Sequence, residues 1–328
     1  MMTRSNQAVL PLHDQSTSRA GMRREVLDGL RDTPRRISSK FFYDEAGSRL
    51  FDEICDLDEY YLTRTELGIM RDQLGDMVRV LGSNCRLIEF GSGSSLKTRM
   101  LLDRLHQPHS YVPIDISRDY LRQVAQELAR QYPHLDIVPV CGDFTQRLDL
   151  PRPEQPAARR VVYFPGSTIG NFTPHSAVSL LRQAARLVGP GGGLLLGADM
   201  KKDPTVITRA YNDAKGVTAR FNLNLLTRFN RELGADFQVD QFWHHAFYNA
   251  REGRIEMHLV SQCDQSIRLG SETVFLGEGE SIHTENSYKF TRGQLERLAA
   301  EAGFRLLHDW TDEQRYFSVN YFTVASAS

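Results

Sequence analysis

No stretch of this 328-residue chain approaches the ~20 consecutive apolar residues that a membrane-crossing helix needs. The N-terminus also lacks the apolar core of a secretory signal. Cysteine is scarce: Cys55, Cys85, Cys141 and Cys263 are scattered, with no Cys-x-x-Cys pair. That pattern excludes a disulfide framework and a zinc site, and it reads as free thiols in a reducing cytoplasm. Excess charge is missing as well, because a formal net charge of −1 leaves no basic footprint for nucleic acid. Internal repeats and low-complexity linkers are absent. What remains is a soluble chain long enough for one large domain or two of ordinary size. Residues 1–19, polar and rich in Ser and Gln, read as a flexible tail.

The most informative stretch is Leu87-Ile88-Glu89-Phe90-Gly91-Ser92-Gly93-Ser94-Ser95-Leu96-Lys97-Thr98. It reads as a buried strand, a glycine turn and a helix, the layout of a cofactor cradle at the carboxyl end of a first parallel strand. Gly91 and Gly93 open backbone angles closed to other residues and let a ligand approach the main chain. Position 96 is Leu, so the third glycine of a dinucleotide fingerprint is missing. No Gly-Lys-Ser/Thr follows, so a P-loop is missing too. Glu89 would oppose a diphosphate but suits a cationic ligand such as S-adenosylmethionine. Alone, the turn is equally a plain strand-to-helix connection.

From Cys85 onward, strands at 86–90, 110–115, 136–140, 160–164 and 193–198 alternate with helices at about 97–106, 117–131 and 174–188. This is the rhythm of a parallel sheet covered on both faces. Three strand ends carry polar residues where such sheets bind ligands. Asp115, about two dozen residues past the glycine turn, stands where an acidic residue holds ribose hydroxyls. Asp143 beside Phe144 suits an adenine, with the carboxylate on the exocyclic amine and the ring nearby. Pro165 to Phe172 follows the fourth strand. Taken singly, each is also a turn former or helix cap. A helix at 291–302 and strand-like runs at 304–310 and 316–324 close the chain. That final antiparallel hairpin separates a class I methyltransferase sheet from an all-parallel dinucleotide sheet. The expected fold is therefore α/β, Rossmann-like, with a second α+β substrate-binding domain. Residues 65–200 and 290–328 would form the first domain, and 20–64 with 201–289 the second.

A further helix at 65–81, with Thr65 as cap, opens the first part, and in the second helices are expected at 19–32, 47–55 and 211–227. Strand-like runs follow at 237–248, 254–263, 266–269 and 274–276. The clusters Phe42-Tyr43-Asp44 and Glu59-Tyr60-Tyr61 read either as core packing or as site residues. In an extended segment Glu285 and Ser287 point to one face. They could accept from one imidazole nitrogen and donate to the other, or be a solvated strand face. His283 shares their parity and is a weak further candidate.

These residues resemble the L-histidine Nα-methyltransferases of ergothioneine biosynthesis, from about Lys40 to Val324. The motifs that carry the likeness are Phe42-Tyr43-Asp44, Glu59-Tyr60-Tyr61-x-Thr63-Arg64, Gly91-Ser92-Gly93 with Lys97-Thr98, and Gly142-Asp143-Phe144. Gly166-Ser167-Thr168-Ile169-Gly170-Asn171, Arg209-Ala210-Tyr211-Asn212-Asp213, Arg254-Ile255-Glu256-Met257 and Thr284-Glu285-x-Ser287-x-Lys289-Phe290 complete the set. The resemblance implies transfer of three methyl groups from S-adenosylmethionine to the α-amine of L-histidine, giving hercynine, with no metal. It implies that Gly91, Lys97, Asp115, Asp143 and Phe144 contact the donor, joined by Glu89 and Gly93 of the cradle. Tyr43, Gly166, Asn171 and Tyr211 would hold the amino and carboxylate end of the substrate. Tyr60, Met257, Glu285 and Ser287 would surround the imidazole. Asn286 would point the other way. Leu96 departs from the polar residue common in that family, where the backbone makes the cradle. A cytoplasmic monomer is expected, bound to a small molecule and to neither membrane nor nucleic acid, with functional coupling to the next enzyme of the pathway. Two alternatives stand beside this reading: a methyltransferase of the same fold for another amino acid or small amine, and a catalytically silent binding partner.

Overall fold

The computed structural model describes residues 10–324. Its main sheet runs, edge to edge, through His13–Asp14, Val140–Cys141, Ser110–Asp115, Cys85–Phe90, Arg159–Phe164, Gly193–Asp199, Phe317–Val324 and Phe304–Thr311. The pairings are parallel up to Gly193–Asp199, and Phe317–Val324 then runs antiparallel to it and to Phe304–Thr311. This is the class I methyltransferase arrangement expected above. Cys85–Phe90, Ser110–Asp115 and Gly193–Asp199 are buried at every residue. Strands covered on both faces need continuous apolar runs.

Alternation along the strands divides the core. Leu87, Tyr111, Val161 and Tyr163 face the helix Tyr61–Leu81, which contributes Met70 and Met77. Ile88, Val112, Val162 and Phe164 face the helix Pro174–Val188 and, further along, Arg292–Glu301. The strand order reverses on either side of Cys85–Phe90, and such a switch point opens a crevice at the carboxyl ends.

The remaining segments meet over those ends. Phe242–Asn249, Arg254–Ser261 and Ser281–Tyr288 form a three-stranded antiparallel sheet, and Gln265–Leu269 pairs with Glu272–Leu276. The helix Val217–Leu233 packs on them and on the N-terminal segment, where Phe42 stacks on Phe221 at 4.6 Å. Their buried side chains run without a break into the core beneath one face of the main sheet.

Four expectations shift. The strand read at 136–140 is two short pieces, Asp136–Ile137 and Val140–Cys141, each pairing with Ser110–Asp115. The helix read at 211–227 spans Val217–Leu233, and Tyr211 sits on the connection after the short helix Pro204–Arg209. The helix expected to begin at Thr65 starts at Tyr61, with Tyr60 at its N-cap, and the Thr65 hydroxyl donates to the Tyr61 carbonyl instead of capping. Residues 1–9 of the expected tail lie outside the described residues, whereas His13–Asp14 adds a parallel edge strand to the main sheet.

Candidate active site

A cavity of about 920 Å³ opens at the carboxyl ends of the parallel strands. Pockets for cofactor-sized ligands span roughly 300–1,000 Å³. Its donor-side wall is the glycine turn. Gly91 and Gly93 both have positive φ, and a Cβ on Gly91 would lie 3.7 Å from the Phe144 ring. The Phe144 ring stacks on Phe90, with centroids 5.3 Å apart, and meets the edge of Phe164.

The three acidic residues here are already bound to the protein. Asp115 accepts from the Gly93 N–H at 3.0 Å and the Ser117 N–H at 2.9 Å, so it braces the turn while facing the cavity. Burial raises its pKa, opposed by those N–H groups. Asp143 accepts from Thr145 through backbone and hydroxyl, and its other oxygen pairs with Lys40 at 3.0 Å. Glu89 is almost fully buried yet lines the cavity. One of its oxygens accepts from Thr98 at 2.6 Å and from the Tyr111 hydroxyl, and burial pushes the group up to about 8. Those bonds steady the strand-to-helix turn, and its second oxygen has no hydrogen-bond partner among the described residues.

Opposite the glycine turn, Pro165–Phe172 forms a tight turn carrying two positive-φ residues, Gly166 and Ser167. Glu66, wholly buried on the helix Tyr61–Leu81, accepts from the Gly166 N–H at 3.0 Å and pairs with Lys97. The Gly166 N–H is thereby occupied, and its carbonyl remains an acceptor. Lys97 lines the cavity and pairs with Glu66, which takes up one of its three N–H donors. Gly197 admits Glu66: a Cβ there would come within 2.3 Å of the Glu66 Oε1. Gly170 lets the turn approach the Tyr288 backbone, whose carbonyl would lie 2.8 Å from a Cβ. Asn171 closes the turn and reaches the cavity wall, as do Gly166, Tyr43 and Tyr60.

Tyr211, Met257, Glu285 and Ser287 do not reach the open wall but gather next to Tyr60, whose ring meets that of Tyr211 at 6.3 Å. Met257 pairs directly with Glu285 across neighbouring strands, which places both on one face. Ser287 lies 2.7 Å from the Tyr211 hydroxyl. The Glu285 carboxylate has no hydrogen-bond partner among the described residues, and burial raises it to about 7 against the pull of Lys289. Burial also holds the Tyr43 and Tyr60 phenols well above their ordinary value, helped by the Glu285 charge.

His283 is a correction. A β-bulge lies between His283 and Glu285, so their common parity does not give a common face. Thr284 takes the extra position and bonds to Asn222 and the Met257 carbonyl. His283 pairs with His258 and stacks on it at 4.7 Å, on the opposite face from Met257 and Glu285. There Glu256, His258 and His283 bring one potential ligand atom each within 4.8 Å of one another. Arg254 and Asn249 already neutralise and bond Glu256. Asn286 pairs with Glu256 and shares that outer face, as expected.

Sequence reasoning missed the roles of Glu66 and Lys40 because each holds a residue about a hundred positions away, and that of Thr98 with Tyr111 because their bonds to Glu89 join three separate elements. Lys289 was visible only as part of a motif.

The comparisons with known proteins agree with this geometry. Residues 22–324 match the family described as histidine-specific methyltransferase, SAM-dependent. The histidine N-alpha-methyltransferase of Mycobacterium tuberculosis is 43% identical over 308 residues, covering 91% of this chain and 94% of that protein. Its counterpart in Mycolicibacterium smegmatis is 42% identical over 305 residues, with the same coverage of both chains. Ergothioneine biosynthesis protein 1 of Neurospora crassa is 29% identical over 297 residues, which is 87% of this chain but 33% of that protein. A match across 22–324, joined to relatives of this identity, places the chain in the family of histidine-specific, S-adenosylmethionine-dependent methyltransferases.

Proposed function

We propose that this chain transfers three methyl groups to the α-amine of L-histidine, forming hercynine as a step of ergothioneine biosynthesis. The observation that carries the reading is one cavity shared by the glycine cradle and by Gly166, Asn171 and Tyr43, with an unpaired Glu285 carboxylate beside it. Glycine turn, Asp115 and the Phe144 ring fit the donor's ribose and adenine. When bound, S-adenosylmethionine supplies a methyl group on a positively charged sulfur, which is already an activated leaving group.

The chain's task is therefore placement. The amine must arrive neutral, although an α-amino group titrates near ~8. The Asn171 side-chain carbonyl, the Gly166 carbonyl and the Tyr43 oxygen are acceptors for its N–H bonds and aim its lone pair across the cavity. Each transfer forms one N–C bond and returns the C–S pair to sulfur; the first two leave an ammonium that must shed one proton before the next attack, and the third leaves a quaternary ammonium with none to lose. Tyr43 is held protonated by its surroundings, so it accepts a hydrogen bond but is no phenolate base, and the proton leaves to water. Three successive methyl groups need room, which suits small acceptors over a close-packed base.

At the other end Glu285 accepts from one imidazole nitrogen and Ser287 meets the other, while Met257 and Tyr60 pack against the ring. A purified sample given methyl-labelled S-adenosylmethionine and L-histidine should accumulate a histidine carrying three labelled methyls on the α-nitrogen by mass spectrometry. Label on the imidazole, or no methylated histidine, would overturn the reading.

A further inference from the structure

Below the imidazole end of the site lies a buried cation that the reaction as described does not use. Lys289 is 1% exposed and directly follows the strand Ser281–Tyr288. Its ammonium has three protons, and each has a partner. It pairs with Asp199 at 2.8 Å and donates to the Ser287 hydroxyl at 2.8 Å and the Tyr211 hydroxyl at 3.1 Å. Asp199, the last residue of the main-sheet strand Gly193–Asp199, is wholly buried. It is also held by the Tyr61 hydroxyl at 2.7 Å and by Lys202. Backbone bonds close the junction: the Phe290 N–H donates to the Asp199 carbonyl at 3.0 Å, and the Lys201 N–H to the Phe290 carbonyl at 2.9 Å.

We propose that Lys289, anchored by Asp199, is a positioning and specificity residue that makes the Ser287–Tyr211 hydroxyl pair offer one proton to the substrate. The inference rests on the reading of Ser287 as an imidazole partner. Counting protons carries it. Lys289 donates to both oxygens, so neither hydroxyl can donate back to it. The two hydroxyls lie 2.7 Å apart, so one donates to the other. One proton of the pair is then left for the substrate. When Tyr211 donates to Ser287, both Ser287 lone pairs are filled and Ser287 can only be a donor. It then requires a bare ring nitrogen. Glu285, on the same face, can only accept when ionised, so it requires a ring N–H. Together they select a neutral heterocycle with one donor and one acceptor, and the nearby ammonium disfavours an imidazolium. Without Lys289 the Ser287 hydroxyl is free to rotate, and the requirement for an acceptor nitrogen lapses. Burial opposes the ammonium's charge, but Asp199 and the two hydroxyls outweigh it and raise its pKa, so the cation is permanent.

The test compares kcat/KM for L-histidine with that for 2-thienylalanine, whose ring lacks both nitrogens. Lys289→Met should lower histidine kcat/KM by about tenfold to a hundredfold, the range for one charge-assisted hydrogen bond and its coupled partner. The thienylalanine value should be unchanged or higher, so the ratio collapses. Asp199 keeps Lys202 and the Tyr61 hydroxyl as partners in Lys289→Met, so no carboxylate is orphaned, and Lys289→Gln, which retains N–H donors, should restore part of the lost ratio. In a Ser287→Ala background the further loss on adding Lys289→Met should vanish. A merely structural role would lower both substrates alike, and an unchanged ratio or a parallel fall would overturn the proposal. If Ser287→Ala itself leaves histidine preference intact, the imidazole reading of Ser287 fails first; if Ser287→Ala destroys it but Lys289→Met does not, only the role of Lys289 fails.

Discussion

The two halves of the cavity hold their polar groups in opposite ways. On the donor side Glu89, Asp115 and Asp143 all have protein partners: Glu89 has Thr98 and Tyr111 on one oxygen, Asp115 has Gly93 and Ser117, and Asp143 has Lys40 and Thr145. On the reading proposed above, the glycine turn and the Phe144 ring receive the donor's adenine on this side. On the acceptor side the half-buried Glu285 has no hydrogen-bond partner among the described residues and stands near the Lys289 ammonium. A buried acceptor without a partner penalises any ligand that fails to supply one. The contrast teaches that tolerance and selectivity can share one cavity when bracing is finished on one side and left to the substrate on the other.

The largest expected break lies at the junction of the halves. Asn171→Ala should cut turnover by about 10²–10³-fold, as removal of one aimed polar group at a reacting centre does. Affinity for S-adenosylhomocysteine, read by calorimetry, should stay within a few-fold. An equal loss in both would show that the turn serves the donor.

Next comes the selective side alone. Glu285→Ala removes a charge-assisted bond worth roughly 1.5–3 kcal/mol and should lower histidine kcat/KM about 10–150-fold while relaxing the site toward larger aromatic amino acids. The pH profile sharpens this. Glu285 must be ionised to accept, so kcat/KM for histidine should rise through about pH 7. The groups facing it are Tyr43, Tyr60, Tyr211 and Lys289, and the first three stay neutral across that range. In Glu285→Gln that limb should disappear, leaving the substrate's own titrations. Stability carries the converse sign. Because burial raises Glu285 from 4.5 to about 7, the native state binds the proton more tightly than the unfolded chain. Stability from this group is therefore full below 4.5 and lost as pH rises through 7, and the Gln variant should lack that slope in denaturant titrations.

A smaller effect is expected beneath the shared turn. Gly197→Ala forces a methyl against Glu66 and should cost about 1–3 kcal/mol as overpacking, seen as a lower Tm with histidine KM raised. The smallest effect should come from His283→Ala. His283 touches Glu285 only through the backbone carbonyl, at 2.9 Å, so histidine preference should shift by no more than about threefold, under the ~1 kcal/mol of one ordinary hydrogen bond. A loss as large as that of Glu285→Ala would mean that His283 faces the substrate after all.

The same contrast explains what the sequence made legible. The parallel strands, the glycine turn, Asp115 and Asp143–Phe144 could be placed because each site residue sits at the end of its own strand, and periodicity locates strand ends. Glu285 with Ser287 was legible as one face of an extended segment, but the roles of Tyr43, Asn171 and Tyr211 entered through a resemblance, since no local pattern links segments so distant in the chain. Glu66 escaped notice because its partner Gly166 lies 100 residues away. His283 misled because simple alternation cannot register a bulge at Thr284. The helix start at Tyr61 was missed because no side chain caps it.

The most direct test pits the two halves against each other in one tube. Wild-type and Glu285→Ala proteins are each given S-adenosylmethionine and an equimolar mixture of free amino acids, and the products are read by mass spectrometry. Trimethylated histidine as the sole wild-type product, with a broadened product set from the variant at undiminished donor affinity, is the predicted result. A variant that remains selective for histidine would contradict the account, because selectivity would then not reside in the unpaired carboxylate.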